Sequence, residues 1–260
     1  MVIFFDIDGT LIDEESQIIP RSTVEAIAAL RQRGHVPIIN TGRPYTHIDQ
    51  RMLDLPFAGC VCAGGMEILL NGQWLRREEM PRQLCRQVID AVRRHKLQVI
   101  YEVEDGFILD GQLSTSPQCM REIIRMRQKG YAMHQVDDLE EIRIVKFVTF
   151  DAPGAGHEAF VKEMQPYFTC IERGGGMVEY LNKGCSKAQG MQQVLDALDV
   201  PVAESFAIGD SANDIAMFRF AGHAICMGNG VDEAKAAADF VTATVMEDGI
   251  YQALKHFKLI

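Results

Sequence analysis

"MVIFFDIDGT", residues 1–10, brings an apolar run to an abrupt end on two carboxylates and a glycine. Four apolar residues lead into Asp6, and Asp8 and Gly9 follow at once. Because Asp-Gly is a good turn dipeptide, one interpretation is the first arm of a β-hairpin. The alternative is a buried strand that carries two acids to the edge of a sheet, where one could attack as a nucleophile and the other could transfer a proton.

The next thirty residues decide between these interpretations. "RSTVEAIAALRQRGH", residues 21–35, has apolar residues at helical spacing, with Ser22 as an expected N-cap and Gly34 where a helix stops. "VPIIN", residues 36–40, is a second short apolar run. Strand, helix and strand in this order predict a right-handed βαβ unit with two parallel strands, which disfavours the hairpin.

The same pattern returns in the C-terminal third, whereas the middle of the chain differs. "SFAIGD", residues 205–210, is another strand that ends in an acid, and strand–helix pairs follow it. From about residue 97, longer β-rich runs with alternation indicate an antiparallel sheet with interleaved helices. We therefore predict an α/β fold: a Rossmann-like, doubly wound parallel-sheet core from residues 1–80 and 183–260, with an α+β domain inserted over residues 81–182.

Composition narrows the classes of function. The chain has 260 residues, 47% of them hydrophobic, and a formal net charge of −10. Such an acidic protein is a poor nucleic-acid binder, because phosphates are neutralised by clustered Lys and Arg. An anionic ligand would need local devices such as a metal, a lysine or a helix N-terminus. The composition leaves the oligomeric state open.

Sequence patterns also bear on the cellular compartment. No apolar run approaches the roughly 20 residues that span a bilayer, and we expect no signal peptide, because the first apolar run stops at Asp6. The seven cysteines are odd in number and scattered, so we expect reduced, mostly buried thiols and no zinc site. A cytoplasmic location without membrane association is the simplest interpretation.

Polar residues that could carry chemistry occur in four clusters, each at the end of a predicted core strand or the start of a helix. The clusters are Asp6 with Asp8, Thr41, Lys187 in "GCSKAQG", and Asp210, Asn213 and Asp214 in "GDSANDIAMF". Ligands bind at this edge of open α/β sheets. Three carboxylates there form an oxygen-rich site for Mg²⁺. The hydroxyl and backbone N–H of Thr41 and the amine of Lys187 could bind an anion such as phosphate.

Each cluster taken singly is weak evidence for chemistry. Asp-x-Asp-Gly is more often a turn than an active site, and a single lysine such as Lys187 is usually a solvated surface residue. "GDSAND" could be a capped helix start, with Ser211 or Asn213 as N-cap. The occurrence of all four clusters in one chain is what favours chemistry.

The four clusters resemble, in their order, the four motifs of the haloacid dehalogenase (HAD) superfamily. The motifs are "DIDGT" at 6–10, "TGR" at 41–43, Lys187 and "GDSAND" at 209–214. The long insertion between the second and third motifs is similar to the large αβ cap of the Cof-type branch, subfamily IIB. "CMGNG" at 226–230, "AADFVT" at 237–242 and "EDGIYQAL" at 247–254 extend the resemblance over essentially the whole chain.

The resemblance implies a Mg²⁺-dependent phosphatase with a role for each matched position. Asp6 would be the nucleophile that forms an aspartyl phosphate, and Asp8 would be the acid/base. Thr41 and Gly42 would bind the phosphoryl group together with Lys187, which the Gly-x-Ser-Lys spacing selects over Lys183. The metal ligands would be Asp6, the backbone carbonyl of Asp8 and Asp210, with Asn213 and Asp214 in support.

Departures from the family pattern bear on substrate identity and leave the nucleophile and metal set intact. "CAGG" at 62–65 stands where relatives have Asn-Gly, Asn40 replaces a small residue, and Gly230 replaces alanine. Glu179 and Arg173 carry little weight as substrate contacts. The leading hypothesis is hydrolysis of a small phosphorylated metabolite such as a sugar phosphate. The alternatives are a phosphosugar mutase or phosphotransferase, and a catalytically weak phosphometabolite-binding protein.

Overall fold

The chain forms two compact units. A computed structural model describes residues 1–110, 116–128, 130–136, 139, 141–151, 156–173 and 175–260. Met1–Arg77 and Ser186–Ile260 make up the core unit, and Glu78–Cys185 make up the inserted unit.

Helices and strands are numbered along the whole chain. The first segment of the core unit contains β1 Val2–Phe5, α1 Arg21–Gln32, β2 Val36–Asn40, α2 Gln50–Leu53, β3 Gly59–Cys62, β4 Glu67–Leu70 and β5 Gln73–Arg77. The inserted unit contains α3 Arg82–Arg94, β6 Gln98–Val103, β7 Gly106–Asp110, α4 Pro117–Gln128, β8 Met133–Val136, β9 Lys146–Phe150, α5 His157–Met164, β10 Phe168–Glu172 and β11 Met177–Asn182. The second core segment contains α6 Lys187–Leu198, β12 Ser205–Gly209, α7 Ile215–Phe220, β13 His223–Cys226, α8 Asp232–Ala237, β14 Phe240–Val241 and α9 Gly249–His256.

The core unit is built on an eight-stranded sheet in the order β14-β13-β12-β1-β2-β3-β4-β5. The first strand is central and pairs in parallel with both neighbours: Phe5 lies opposite Ile39 of β2 and Ile208 of β12. The hairpin interpretation of the opening stretch is therefore wrong, and the predicted α/β class is confirmed. Antiparallel pairing occurs at one edge, between β3, β4 and β5.

Helices cover both faces of this sheet, which explains the unbroken apolar run in β1. Ile3 and Phe5 pack into a cluster with apolar residues of α1 and α9. Val2 and Phe4 point to the other face and pack with residues of α6 and α7. A strand buried on both faces needs apolar residues at every position, and all four residues of β1 are fully buried.

The first helix begins one residue earlier than its predicted cap. Helix α1 starts at Arg21, directly after Pro20, and no side chain caps its N-terminus. Ser22 therefore lies inside the first turn, where its hydroxyl donates a hydrogen bond to the Asp248 carboxylate at 2.5 Å. Gly34 follows the helix with φ of +79°, as its predicted role as a stop residue requires.

The inserted unit has its own six-stranded sheet, in the order β10-β11-β9-β6-β7-β8. All neighbouring strands pair antiparallel except β7 and β8, which are parallel. Helices α3 and α5 pack on one face around Tyr101, Phe147 and Tyr180. Helix α4 packs on the other face against Ile100, Val148 and Phe150.

Four charged side chains form a cluster on three neighbouring strands and one strand end of this sheet. The Lys146 ammonium lies 2.6 Å from a carboxylate oxygen of Glu179 and 3.3 Å from one of Glu102. Glu179 is also hydrogen-bonded by the Arg173 guanidinium. Lys146, Glu102 and Glu179 are buried. Glu179 and Arg173 therefore have a structural role inside this unit, which the sequence did not indicate.

The pKa values of the two carboxyl groups in this cluster differ because the groups have different numbers of cations beside them. Burial by itself raises the pKa of each. For Glu179, Lys146 and Arg173 outweigh burial and lower the pKa to about 2. For Glu102, the positive charge of Lys146 does not fully offset the effect of burial. The nearby Glu179 carboxylate raises the pKa further, so that of Glu102 is about 7.

The raised pKa of Glu102 predicts a pH-dependent effect of Glu102→Gln. The folded form holds this proton more tightly than the unfolded form, whose pKa is near 4.5. Wild-type stability therefore falls as pH rises from 4.5 through 7, and Gln removes that loss. We expect the variant to be more stable than wild type by about 1–3 kcal/mol at pH 8, with little gain at pH 4.5. The measurement is the unfolding midpoint of each protein at both pH values.

Glu104→Gln is the matched control, because Glu104 is exposed and directly follows the same strand. We expect it to shift the midpoint little at either pH. An equal effect of Glu102→Gln at pH 4.5 and pH 8 would contradict the proposed cost of the buried charge.

Candidate active site

The residues that the sequence singled out come together at one edge of the core sheet. Asp6, Thr41 and Asp210 each directly follow a strand: β1, β2 and β12 respectively. These three strands are parallel neighbours, so their carboxyl ends lie side by side. Lys187 is the first residue of α6, whose N-cap is Ser186. The predicted convergence of these four positions is therefore observed.

Lys187 is a buried cation that joins two carboxylates. Its ammonium nitrogen lies 2.7 Å from Oδ1 of Asp6 and 2.5 Å from Oδ1 of Asp214, and the side chain is 4% exposed. Burial acts to lower the pKa of Lys187, but Asp214 and Asp6 outweigh it and the pKa is raised. The lysine is therefore charged at neutral pH and is no solvated surface residue.

Asp214 is held in place through both carboxylate oxygens. Oδ1 binds Lys187, and Oδ2 accepts hydrogen bonds from the backbone N–H groups of Asp210 and Ser211, each at 3.0 Å. Ser211 caps the short 3₁₀ turn Ala212–Asp214, and its hydroxyl donates to Oδ1 of Asn213 at 2.6 Å. The helix-cap interpretation of "GDSAND" is thus correct for Ser211. The same turn also aims Asp214 at the lysine, so capping and chemistry are compatible.

Three carboxylates lie close enough together to hold a cation. Asp6, Asp210 and Asp214 each offer an oxygen within 4.8 Å of the others. Burial, together with the other carboxylates, raises the pKa of Asp6 to about 7 despite Lys187, and raises that of Asp210 to about 8. A divalent cation would relieve this repulsion, and carboxylate oxygens are the ligands that a hard cation prefers. The donor set fits a metal, with Asp214 committed to Lys187 and backbone N–H groups.

Gly9 allows Asp210 to approach the turn that follows β1. It has φ of +73°, and a Cβ on this residue would overlap the Asp210 carboxylate, 2.7 Å from its Cγ. The Gly9 carbonyl accepts a hydrogen bond from the Asn229 side chain at 2.8 Å, and Asn229 Oδ1 accepts one from the Val245 N–H. The sequence predicts the turn at Gly9, but it does not show that Asp210 requires the missing side chain.

Gly9→Ala is expected to lower phosphatase turnover strongly and the free energy of unfolding only modestly. Gly34→Ala is the matched control, because Gly34 has a similar φ of +79° and nothing within 4 Å of the added Cβ. Both variants should lose about 1–2 kcal/mol of unfolding free energy from backbone strain. Only Gly9→Ala must displace the Asp210 carboxylate, and a misplaced group of this kind lowers turnover by about 10–100-fold. Equal phosphatase turnover in the two variants would contradict this account.

Thr41 contributes its hydroxyl to the site, whereas its backbone N–H is already bonded. The N–H donates to the Val61 carbonyl at 2.8 Å, so the expectation that it binds an anion is wrong. The Thr41 hydroxyl oxygen accepts a hydrogen bond from the Arg43 N–H at 3.1 Å and keeps its own proton to donate. Gly42 lies between them and is partly buried.

Arg43 is the functional candidate that sequence reasoning missed. Its guanidinium donates two hydrogen bonds to Asp8, from Nε to Oδ2 at 2.8 Å and from Nη2 to Oδ1 at 2.7 Å. The motif "TGR" contains this residue, but it carries no signal for a partner 35 residues away. Asp8 therefore has a partner of its own, and its side chain is not part of the cluster of three carboxylates.

The "CAGG" stretch has a backbone function that the sequence did not show. Ala63, Gly64 and Gly65 all have positive φ, and a Cβ on Gly65 would lie 2.5 Å from the Ser186 carbonyl oxygen. The N–H of Ala63 donates to the Arg43 carbonyl, and that of Gly64 donates to the Thr41 carbonyl. This tight turn therefore links the loop after β2 to the start of α6. It provides a structural reason for two consecutive glycines.

Asn40, the other departure near the site, is fully buried beneath it. Its side-chain amide donates to the Lys187 carbonyl at 3.3 Å. The residue thus contacts the first turn of α6, which carries the lysine.

Comparison with known proteins identifies the family. The sequence profile of the haloacid dehalogenase-like hydrolases matches residues 3–254. The chain belongs to this family. BT1666 from Bacteroides thetaiotaomicron, a phosphatase of the haloalkanoate (HAD) enzyme superfamily, is 28% identical with a TM-score of 0.85 over 100% of this chain and 95% of its own. The sugar phosphatase BT4131, of HAD subclass IIB, is 26% identical with a TM-score of 0.81 over 100% and 99%.

A relative from Bacillus subtilis matches along nearly the whole sequence. The 5-amino-6-(5-phospho-D-ribitylamino)uracil phosphatase YitU of Bacillus subtilis (strain 168) is 26% identical over 267 residues, covering 98% of this chain and 97% of its own length. The assignment to the Cof-type branch of HAD phosphatases and to the phosphoric monoester hydrolases is thereby confirmed. HAD phosphatases act on small phosphorylated metabolites and generally use a divalent metal.

Two further expectations concern cysteines and membranes. None of the seven cysteines, all of which lie in described parts of the chain, forms a disulfide, and six are buried. Throughout the described ranges, no helix is both long enough and apolar enough to cross a membrane.

Proposed function

We propose that this protein is a Mg²⁺-dependent phosphatase that hydrolyses sugar phosphates or similar small metabolites through an aspartyl phosphate on Asp6. The observation that carries the proposal is the buried Lys187, which holds Asp6 and Asp214 together beside Asp210. Together these groups would supply a carboxylate nucleophile, a cation and a metal-binding set in one small site. An acidic protein needs such local positive charge to accept a phosphate.

The first half-reaction would transfer the phosphoryl group to Asp6. Lys187 binds Oδ1 of Asp6, so Oδ2 is the oxygen that we expect to attack phosphorus. The bond from phosphorus to the alcohol oxygen breaks, and Asp8 gives its proton to that oxygen. Lys187 and the hydroxyl of Thr41 would bind phosphoryl oxygens as charge develops.

The second half-reaction would release phosphate and restore the enzyme. Asp8, now a carboxylate, takes a proton from water while the water oxygen attacks the phosphorus of the aspartyl phosphate. The bond from phosphorus to Asp6 breaks and inorganic phosphate leaves. A bound Mg²⁺, held by Asp6, Asp210 and the Asp8 backbone carbonyl, would supply neutralisation of phosphoryl charge. Asn213 and Asp214 would support this set.

Metal removal tests the proposal directly. The protein should hydrolyse p-nitrophenyl phosphate and members of a panel of phosphorylated metabolites with Mg²⁺. EDTA should abolish phosphate release, and excess Mg²⁺ should restore it. Full activity in EDTA would contradict the metal dependence. The panel also tests the substrate class, because the kcat/KM values for sugar phosphates should be higher than those for other phosphomonoesters.

The same panel separates the alternatives. A mutase supplied with a sugar bisphosphate would give isomerised monophosphate instead of free phosphate. A binding protein would show tight phosphate-ligand binding with turnover near background. The inserted unit, with its own sheet and charged cluster, is our candidate for the part that sets specificity.

A further inference from the structure

The pair formed by Arg43 and Asp8 is the starting point. The Nε and Nη2 atoms of the Arg43 guanidinium, called the fork below, each donate a hydrogen bond to a different oxygen of the Asp8 carboxylate, at 2.8 and 2.7 Å. The Arg43 side chain is 13% exposed and that of Asp8 is 28% exposed. A two-point contact of this kind fixes the plane of a carboxyl group as well as its distance, which a single hydrogen bond does not.

Arg43 is itself held by the core unit at several points. Its N–H donates to the Thr41 hydroxyl, its carbonyl accepts from the Ala63 N–H at 2.8 Å, and its Nη1 donates to the His47 carbonyl at 3.4 Å. These partners belong to the loop after β2 and to the left-handed turn after β3. The guanidinium is therefore presented to Asp8 from an anchored backbone.

Asp8 lies in a turn whose backbone is anchored separately. The neighbouring Gly9 donates its N–H to the Ile12 carbonyl and accepts from Asn229. These bonds fix the position of the Asp8 backbone but do not set the side-chain torsions. The Arg43 fork is a contact that sets them.

We propose that Arg43 is a positioning residue that acts through Asp8, holding its carboxyl in the orientation needed for proton transfer to the leaving alcohol. This inference rests on the proposed function, since it assumes that Asp8 is the acid/base. A protonated carboxyl group keeps lone pairs on both of its oxygens, so both contacts from the guanidinium can persist while Asp8 carries the proton. Arg43 makes no bond to the reacting atoms in this account.

The first test compares two substrates of similar size whose leaving groups differ. Phenyl phosphate releases a poor leaving group that needs a proton, whereas p-nitrophenyl phosphate releases a phenolate that is stable without one. The value of kcat/KM reports only the steps up to departure of that group. General acid catalysis is worth about 10²–10⁴-fold. We therefore expect Arg43→Gln to lower kcat/KM for phenyl phosphate about 10-fold more than for p-nitrophenyl phosphate.

The second test shows whether Arg43 acts through Asp8. In the Asp8→Asn background, adding Arg43→Gln should lower kcat/KM for phenyl phosphate no further, within about threefold, because residues that act together are not additive. A full additional loss would mean that Arg43 contacts the phosphoryl group independently, and it would overturn the proposal. Equal losses for the two substrates in the single variant would also overturn it.

Two variants guard against a merely structural effect. Arg93 forms a similar two-point pair with Asp110 in the inserted unit, at 2.7 and 3.1 Å. Arg93→Gln should leave the ratio of the two kcat/KM values unchanged, whatever it does to stability.

Arg43→Lys keeps the charge but not the two-point contact, so its ratio should lie between those of wild type and Arg43→Gln. A wild-type ratio in Arg43→Lys would overturn the two-point requirement.

The design also separates this inference from the proposed function. Wild type and Asp6→Asn are assayed alongside, with the same two substrates. If wild type hydrolyses neither, or if Asp6→Asn remains active, the proposed function fails. If both behave as expected and the Arg43 variants show equal losses, only the inference about Arg43 fails.

Discussion

Asp6→Asn should abolish phosphatase activity while leaving a folded protein. The amide matches the carboxylate in shape and can still accept a hydrogen bond from Lys187, which lies 2.7 Å from Oδ1. It cannot form the acyl phosphate, because a neutral amide is a very weak nucleophile. We expect kcat with p-nitrophenyl phosphate to fall by at least about 10⁴-fold, a rise of roughly 5 kcal/mol in the barrier. Initial rates with Mg²⁺ and a thermal unfolding curve measure the two outcomes.

Asp196→Asn is the control for this change. Asp196 is exposed on α6 in the same unit, and the substitution alters charge and shape identically. We expect its turnover to equal that of wild type. Retention of substantial activity in Asp6→Asn would show that another residue attacks phosphorus, and the mechanism proposed above would have to be abandoned.

Lys187→Met should have the largest effect on stability. The lysine is the cation between the Asp6 and Asp214 carboxylates, and both of these side chains are also buried. Removing one partner of a buried ion pair leaves uncompensated charge, at a cost of about 3–5 kcal/mol. We expect that loss in the free energy of unfolding at neutral pH, together with loss of phosphatase activity.

Two comparisons make this prediction specific. Lys255→Met removes an exposed lysine from the same unit, and surface changes of this kind stay within about 0.5 kcal/mol. The double variant Lys187→Met with Asp214→Asn should regain part of the lost stability, since one unpaired carboxylate disappears and the Asn carbonyl can still accept from the two backbone N–H groups. Activity should stay absent. If Lys187→Met cost no more than Lys255→Met, the buried ion pairs would have no stabilising role.

The sequence predicted the fold and the main positions of the site for a simple reason. β1 is apolar at all four positions because it is buried on both faces, and that pattern is visible without a structure. Asp6, Thr41 and Asp210 follow strands that are parallel, so the order of strands and helices already brings them to one edge. These features depend on local pattern and on topology.

Contacts between side chains on different elements were not predictable in the same way. Ser22 binds Asp248, which lies 226 residues away, instead of capping its own helix. The backbone N–H of Thr41 is used by Val61, and the Glu179 carboxylate is buried against Lys146. In each case the partner is set by how loops and strands pack, and nothing in the local sequence specifies it.

The sequence by itself therefore determined the α/β class, the central strand with its two acids, and the set of residues that meet at its end. Only the tertiary structure decided how those residues are held. Arg43 donates two hydrogen bonds to Asp8, Lys187 donates one to Asp214, and the missing side chain of Gly9 lets the Asp210 carboxylate approach. The physical reason is that backbone pattern follows from burial and periodicity along the chain. The direction of a charged side chain depends instead on which partners folding brings within about 3 Å of it.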